Sequence, residues 1–388
     1  MKQKVALFAL ILPLFLLGSV QADPIKIGMV TTLSTKAGYL GEDIRDGFRL
    51  ALQEEGGKLG GFDVELMVDD DGRKPGKGKQ IADRYIKRDQ VKIMTGIVFS
   101  NVAMAVVPKV VRSGVVYISP NAGPSALAGK GCHENYFNVA WQNDNLHEAA
   151  GQYVRDQGFN NVFILAPNYP AGKDALTGFK RFYQGNIAGE IYTKLGQSDY
   201  AAELASLRAA KPDAVFFFLP GGMGINFLKQ YAQAGLNDSI PLFGPAFSFD
   251  ERLLKAVGDA AVGVINGSQW THDLDNAANR NFVAAFRAAY DRTPTLYASQ
   301  GYDAARLIAS ALKAVNGDLS DLDAFRNALR RADFSSVRGD FRFGSNQHPV
   351  QDIYVREVVK TAAGGTTNKT LKKVLPNHVD AYAASCKL

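Results

Sequence analysis

The chain offers no His-x-His or His-Glu-x-x-His pair, no Gly-x-Ser-x-Gly elbow and only two cysteines in 388 residues. Its five histidines, His133, His147, His272, His348 and His378, stand far apart, so a zinc-type centre and a serine-hydrolase nucleophile lack their sequence signatures. The segment from Gly72 to Gln80 is a poor phosphate loop. Its glycine spacing is one residue too long, and Gln80 stands where Ser or Thr would meet magnesium. Asp69, Asp70 and Asp71 lack the acidic residue that closes a calcium loop twelve positions in, and read as a surface turn. Neither catalysis nor a cofactor or metal is therefore expected.

A dominant charge is also missing. The formal charge is +6, and Lys and Arg are interleaved with Asp and Glu rather than gathered into the basic stripe of a nucleic-acid binder. The densest basic stretch, Arg73 to Lys79, reads as a solvated loop entering a helix. Apart from the N-terminus no long apolar run exists. Phe216 to Leu219, held between Pro212 and Pro220, has the length of a buried strand.

The N-terminus is the exception. Lys2 and Lys4 precede an apolar run, Val5 to Leu17, followed by Gly18, Ser19 and Ala22. This is a signal-peptide pattern over residues 1–22, with cleavage expected after Ala22. The run is too short for a bilayer core, which takes about 20 residues. No cysteine follows Ala22, so a lipid anchor has no attachment point. In an exported protein, Cys132 and Cys386 are most simply one disulfide tying the C-terminal tail to the loop near Gly131, two unpaired thiols being the alternative.

What is present is alternation. Strand-like Ile25–Val30, Val64–Val68, Lys92–Thr95 and Val115–Ile118 are separated by helical periods over Gly41–Glu54, Gln80–Arg88 and Asn101–Arg112. A second series follows. Strands at Asn161–Leu165, Glu190–Lys194, Ala214–Leu219 and Pro241–Phe243 alternate with helical patterns over Leu146–Gln157, Ala175–Gln184, Ala201–Ala209 and Gly224–Ala234. Two α/β halves, each a parallel sheet wrapped by helices, explain this better than one large sheet. Long helical patterns over Asn276–Tyr290 and Tyr297–Asn316, a shorter one over Asp321–Arg331, and strands at Asp340–Phe343 and Asp352–Val359 complete these halves.

Ile25-Lys26-Ile27-Gly28, Thr32-Leu33-Ser34, Gly38-Tyr39-Leu40-Gly41, Asp70-Asp71, Ile118-Ser119-Pro120-Asn121-Ala122, Phe243-Gly244-Pro245 and Gly258 to Val264 occur in an order that resembles the type I periplasmic binding proteins of the leucine/isoleucine/valine-binding family. The resemblance spans essentially the whole chain after residue 22. It implies a periplasmic solute receptor of an ABC importer, monomeric, presenting its ligand to an inner-membrane permease. It also implies two lobes, 23–139 plus 268–343 and 140–267 plus 344–388, crossed near Val139, Gly267 and Phe343. A sensor of the same fold is the other reading, although such sensors usually carry a signalling domain.

Strand-to-helix turns at Phe99-Ser100-Asn101 and Asn121-Ala122-Gly123 place free backbone N–H groups at helix starts, a setting that favours an anion. By resemblance these loops hold a ligand carboxylate, with Ser100 and Asn121 foremost; simple helix capping is the alternative role. Where amino-acid-binding members often carry threonine, this chain has Gly123. Those members also use an acid after the Gly-Pro turn to pair the ligand ammonium, and here Ala246-Phe247-Ser248-Phe249 follows. An ammonium buried without a carboxylate partner would lose several kcal/mol. Tyr39, Leu40, Phe99, Tyr169, Phe247, Phe249 and Trp270 are instead candidate apolar walls, and Asn168, Ala171, Pro220 and Gly221 lie in ligand-facing loops of the second lobe. An aromatic carboxylate resembling benzoate, phenylacetate or hydroxycinnamate is the expected ligand, with a branched-chain or other aliphatic amino acid as the alternative.

Overall fold

The computed structural model describes residues 23–388; the signal peptide read over residues 1–22 lies outside the described residues. The first sheet is built from β1 (Ile25–Thr31), β2 (Lys58–Leu59), β3 (Phe62–Asp70), β4 (Ile93–Thr95), β5 (Val116–Ser119) and β6 (Tyr136–Asn138), in the order β2-β3-β1-β4-β5-β6. All pairings are parallel except the β2/β3 hairpin. Every residue of β4, β5 and β6 is buried, the uniformly covered pattern of a sheet with helices on both faces.

The second sheet contains β7 (Asn161–Pro167), β8 (Asn186–Thr193), β9 (Ala214–Phe217), β10 (Leu242–Pro245), β11 (Ile265–Ser268), β12 (Arg342–Phe343), β13 (Pro349–Lys360) and β14 (Thr366–His378). Its order is β12-β13-β11-β10-β9-β7-β8, with β14 paired to β13. From β8 to β11 the strands are parallel; β13 and β14 run antiparallel. The helices Ala277–Tyr290, Leu296–Ala314 and Leu322–Arg331 return to the first lobe. Leu296–Ala314 packs on Gly38–Glu54 so closely that a Cβ on Gly47 would stand 1.9 Å from the Ala298 carbonyl oxygen. The chain thus leaves the first sheet for the second after β6, leaves the second after β11 and returns to it at β12.

The structure departs from the sequence reading at three elements. The expected strand Asp340–Phe343 shortens to the two residues of β12, and β14 was not anticipated at all. β14 is a sheet edge rich in Lys369, Lys372 and Lys373, largely unburied, so it shows no alternation of apolar and polar residues. The sixth helix begins at Pro170 instead of Ala175, because proline suits a first helical turn; this sets Tyr169 at its cap.

Cys132 and Cys386 are joined, with Cα atoms 5.7 Å apart. The tail they tether is also held at Tyr382, whose hydroxyl donates to Asp144 at 2.9 Å. Among the described residues no helix is long and apolar enough to cross a membrane.

Candidate ligand-binding site

In open parallel sheets, ligands settle beyond the carboxyl ends of the strands where the winding direction reverses. β1 lies between β3 and β4, and β7 lies between β8 and β9, so each sheet has such a point. The loops that leave these points face each other. Between them is a small cavity lined by residues of both lobes.

The first lobe supplies Leu40, Val98, Phe99, Ser100, Asn121, Ala122 and Tyr297. Phe99 is extended and Ser100 opens the helix Ser100–Arg112, which has no side-chain cap. The Ser100 and Asn101 amides have no carbonyl partner, as expected in a first helical turn. Ser100 Oγ accepts from Asn143 Nδ2 at 3.1 Å, which leaves its hydroxyl hydrogen free to donate. Asn121 Nδ2 donates to the Val98 carbonyl at 2.6 Å, while its Oδ1 is buried without a partner. Asn121 therefore holds the Val98–Ser100 turn in place and offers the cavity an acceptor rather than a donor. Neither side chain caps its helix.

The other wall is made by Tyr169, Ala171, Phe218, Pro220 and Phe247, with Trp141, Asn143 and His147 arriving from the crossover after β6 and the helix Asn145–Asp156. The rings support one another: Trp141 and Phe247 have centroids 4.5 Å apart, Phe218 and Phe247 5.5 Å, and Tyr169 stacks on Phe218 at 6.2 Å. His147 is wedged against Phe218 at 5.0 Å, and burial pushes its pKa down to about 3, so the ring is neutral. Its Nδ1 has no partner. No Asp, Glu, Lys or Arg lines the cavity.

Nine anticipated residues thus converge: Leu40, Phe99, Ser100, Asn121, Ala122, Tyr169, Ala171, Pro220 and Phe247. Others sit beside it or elsewhere. Tyr39 lies under the Arg252 guanidinium, 5.1 Å from its ring centroid. Asn101 is turned one position around its helix. A Cβ on Gly123 would stand 2.1 Å from the Trp141 carbonyl oxygen, so threonine does not fit there; its amide instead donates to Asn143 Oδ1 at 3.1 Å. Asn168 is exposed, Ala246 is fully buried beneath the turn, and Gly221 (φ +67°) begins a helix beside Ala37 and Tyr39. Phe249 packs on Phe217, and Trp270 donates to Asn279 Oδ1 at 2.7 Å, both away from the cavity.

The residues that sequence reasoning missed are Val98, Trp141, Asn143, His147, Phe218 and Tyr297. Phe218 was within sight, as the end of the apolar run read as a strand.

Across the cleft the lobes are in contact. Ser125 Oγ donates to Asp174 at 2.6 Å, and Arg252 reaches Asp43 at 2.8 Å, where Arg292 also approaches at 2.9 Å. Asp250, the acid nearest the Gly244-Pro245 turn on its C-terminal side, does not line the cavity. Its Oδ1 accepts from the Arg252 and Leu253 amides, and burial, with Asp43 nearby, raises its pKa to about 7.

Two sheets with facing strand ends and a cavity between them define a type I two-lobed binding protein. The periplasmic binding protein family model matches residues 24–365, and the chain belongs to that family. It is 28% identical to Leu/Ile/Val-binding protein homolog 6 of Brucella melitensis over 95% of this chain and 96% of that one. It is also similar to a solute-binding protein of an ABC transporter from R. palustris solved with benzoate: 33% identity, TM-score 0.89, covering 94% of this chain and 100% of that one. A second solute-binding protein, from Rhodopseudomonas palustris BisB5 and solved with 3,4-dihydroxybenzoic acid, shares 29% identity at TM-score 0.84 over 93% of this chain and 99% of that one.

Proposed function

We propose that this protein is the periplasmic receptor of an ABC importer and captures an aromatic carboxylate by closing its lobes, 23–139 plus 268–343 and 140–267 plus 344–388, around it. The observation that carries this reading is the cavity's composition: stacked rings on one side, a free hydroxyl and the unpaired Ser100 amide at a helix start on the other, and, among the described residues, no charged side chain on the lining. The carboxylate sits at Ser100 and the Ser100 and Asn101 amides, where the helix end favours negative charge. The ring lies against Phe247, Phe218 and Tyr169, each aromatic contact contributing about 0.5–1.5 kcal/mol beyond area burial. Asn121 Oδ1 is placed to accept from a ring hydroxyl. The benzoate and dihydroxybenzoate bound by the two similar receptors support this class. Binding rather than chemistry is the role, and closure presents the loaded form to an inner-membrane permease.

A second reading, an aliphatic amino acid, draws on the names of the Brucella relatives. Its weakness is the absence of any carboxylate on the lining to pair an ammonium. Calorimetric titration of residues 23–388 with benzoate, 4-hydroxybenzoate, leucine and glutamate separates the two. Binding of an aromatic acid with none of leucine is expected; leucine binding without any aromatic acid would overturn the proposal.

A further inference from the structure

Outside the inner cavity, and sharing Pro220 with it, lies a second, solvent-open chamber between the lobes. Lys36 and Arg73 line it from the first lobe, Gly196 and Gly222 from the second, and no acidic residue is on its wall. Neither cation forms an ion pair with any described residue.

Arg73 is held there by its loop. Its φ is +62°, and this backbone is fixed by the Arg73 amide donating to Asp71 Oδ1 at 2.7 Å and the Gly72 amide donating to Asp70 Oδ1 at 2.8 Å. The guanidinium lies 5.7 Å from the centroid of Phe99, whose ring walls the inner cavity. On the opposite side it reaches the other lobe. A Cβ on Gly196 would stand 3.0 Å from Nη2, so the guanidinium lies close against this turn of the second lobe. A half-buried guanidinium that faces a chamber with no acid on its wall is placed to receive an anion.

We propose that the outer chamber is a second anion subsite, in which Arg73, assisted by Lys36, receives a carboxylate carried on the far side of the ligand's ring. This rests on the reading of the inner cavity as an aromatic-carboxylate site. It narrows the substrate class to aromatic acids bearing two anionic groups, the first at Ser100 and the second leaving past Pro220 toward Arg73. Monocarboxylates occupy the inner cavity alone and leave Arg73 unpaired.

The test compares benzene-1,4-dicarboxylate with its monomethyl ester, which removes the second charge and adds a single methyl group. Benzoate serves as the reference for the inner cavity, and calorimetry on residues 23–388 is the readout. The diacid is expected to bind at least about tenfold more tightly than the ester. That ratio should fall toward one in Arg73→Gln and partway in Lys36→Gln, a solvent-exposed position whose replacement leaves the fold intact. Equal affinity of diacid and ester in the native chain would overturn the proposal, as would an unchanged ratio in both variants. Benzoate binding with no preference for the diacid would overturn this proposal alone, whereas failure of all three acids would remove the aromatic-acid reading with it.

Discussion

The two walls of the cleft present different chemistry to the same small volume. The first lobe offers a free serine hydroxyl and the unpaired Ser100 amide at a helix start, and the second offers Tyr169, Phe218 and Phe247 braced by Trp141 and His147. The difference follows from how each strand ends. β4 and β5 run into Ser- and Asn-containing turns that expose backbone donors, while β9 and β10 run into Phe218 and Phe247, whose rings pack on Trp141, His147 and Tyr169 and leave an apolar face to the cavity. On the proposed reading, the ligand's anionic end faces the first lobe and its ring the second.

The ring wall is the place to break this division most severely. Phe247→Ala removes the ring that touches Trp141, Phe218 and His147 together, and an aromatic acid should lose at least about 2 kcal/mol of affinity, as at a central hot spot. Titration calorimetry measures it; a change under threefold would show that the ring does not face the ligand. On the polar wall, Ser100→Ala should weaken binding by ~1–2 kcal/mol for a lost hydrogen bond to a charged group. Unchanged affinity would remove Ser100 from the anion socket.

The contact that holds the walls together should have a smaller effect. Arg252→Met deletes the bond from the second lobe to Asp43, yet Arg292 stays beside that carboxylate. A several-fold faster ligand release in stopped-flow kinetics is expected, with the association rate changed less; an unaltered release rate would show that this pair does not latch the closed form.

A separate effect, on stability rather than on ligand affinity, concerns Asp250. Because burial raises its pKa to about 7, the folded state holds a proton that the unfolded carboxyl, titrating near 4, has released. Stability from this group therefore falls as pH rises from about 4 to about 7. Asp250→Asn retains an oxygen to cap Arg252 and Leu253 and should gain stability relative to the native chain at pH 8 but not at pH 4, measured by urea unfolding. An equal difference at both values would contradict the raised pKa.

Much of the architecture was legible because buried parallel strands write themselves as short apolar runs such as Ile93-Met94-Thr95 and Ala214-Val215-Phe216-Phe217, separated by helical periods. Edge strands do not, and β14, with its lysines facing water, left no such mark. In the site, Ser100, Asn121 and Phe247 could be found because they follow strand ends directly. Trp141, Asn143 and His147 could not, since they lie in a crossover and a helix whose first turn carries no turn signal; Asn143 reaches the cavity only through its bonds to Ser100, Gly123 and Asp174. Tyr297 enters from a helix more than 150 residues further on, a proximity that only the packing of Leu296–Ala314 on Gly38–Glu54 creates.

A crystal structure of residues 23–388 with benzoate addresses the central claim most directly. The carboxylate is expected within hydrogen-bond distance of Ser100 Oγ and the Ser100 or Asn101 amide, with the ring between Phe247 and Tyr169. A ring turned toward the first lobe with its carboxylate among Tyr169, Phe218 and Phe247, or a cleft that closes without the acid inside, would contradict it.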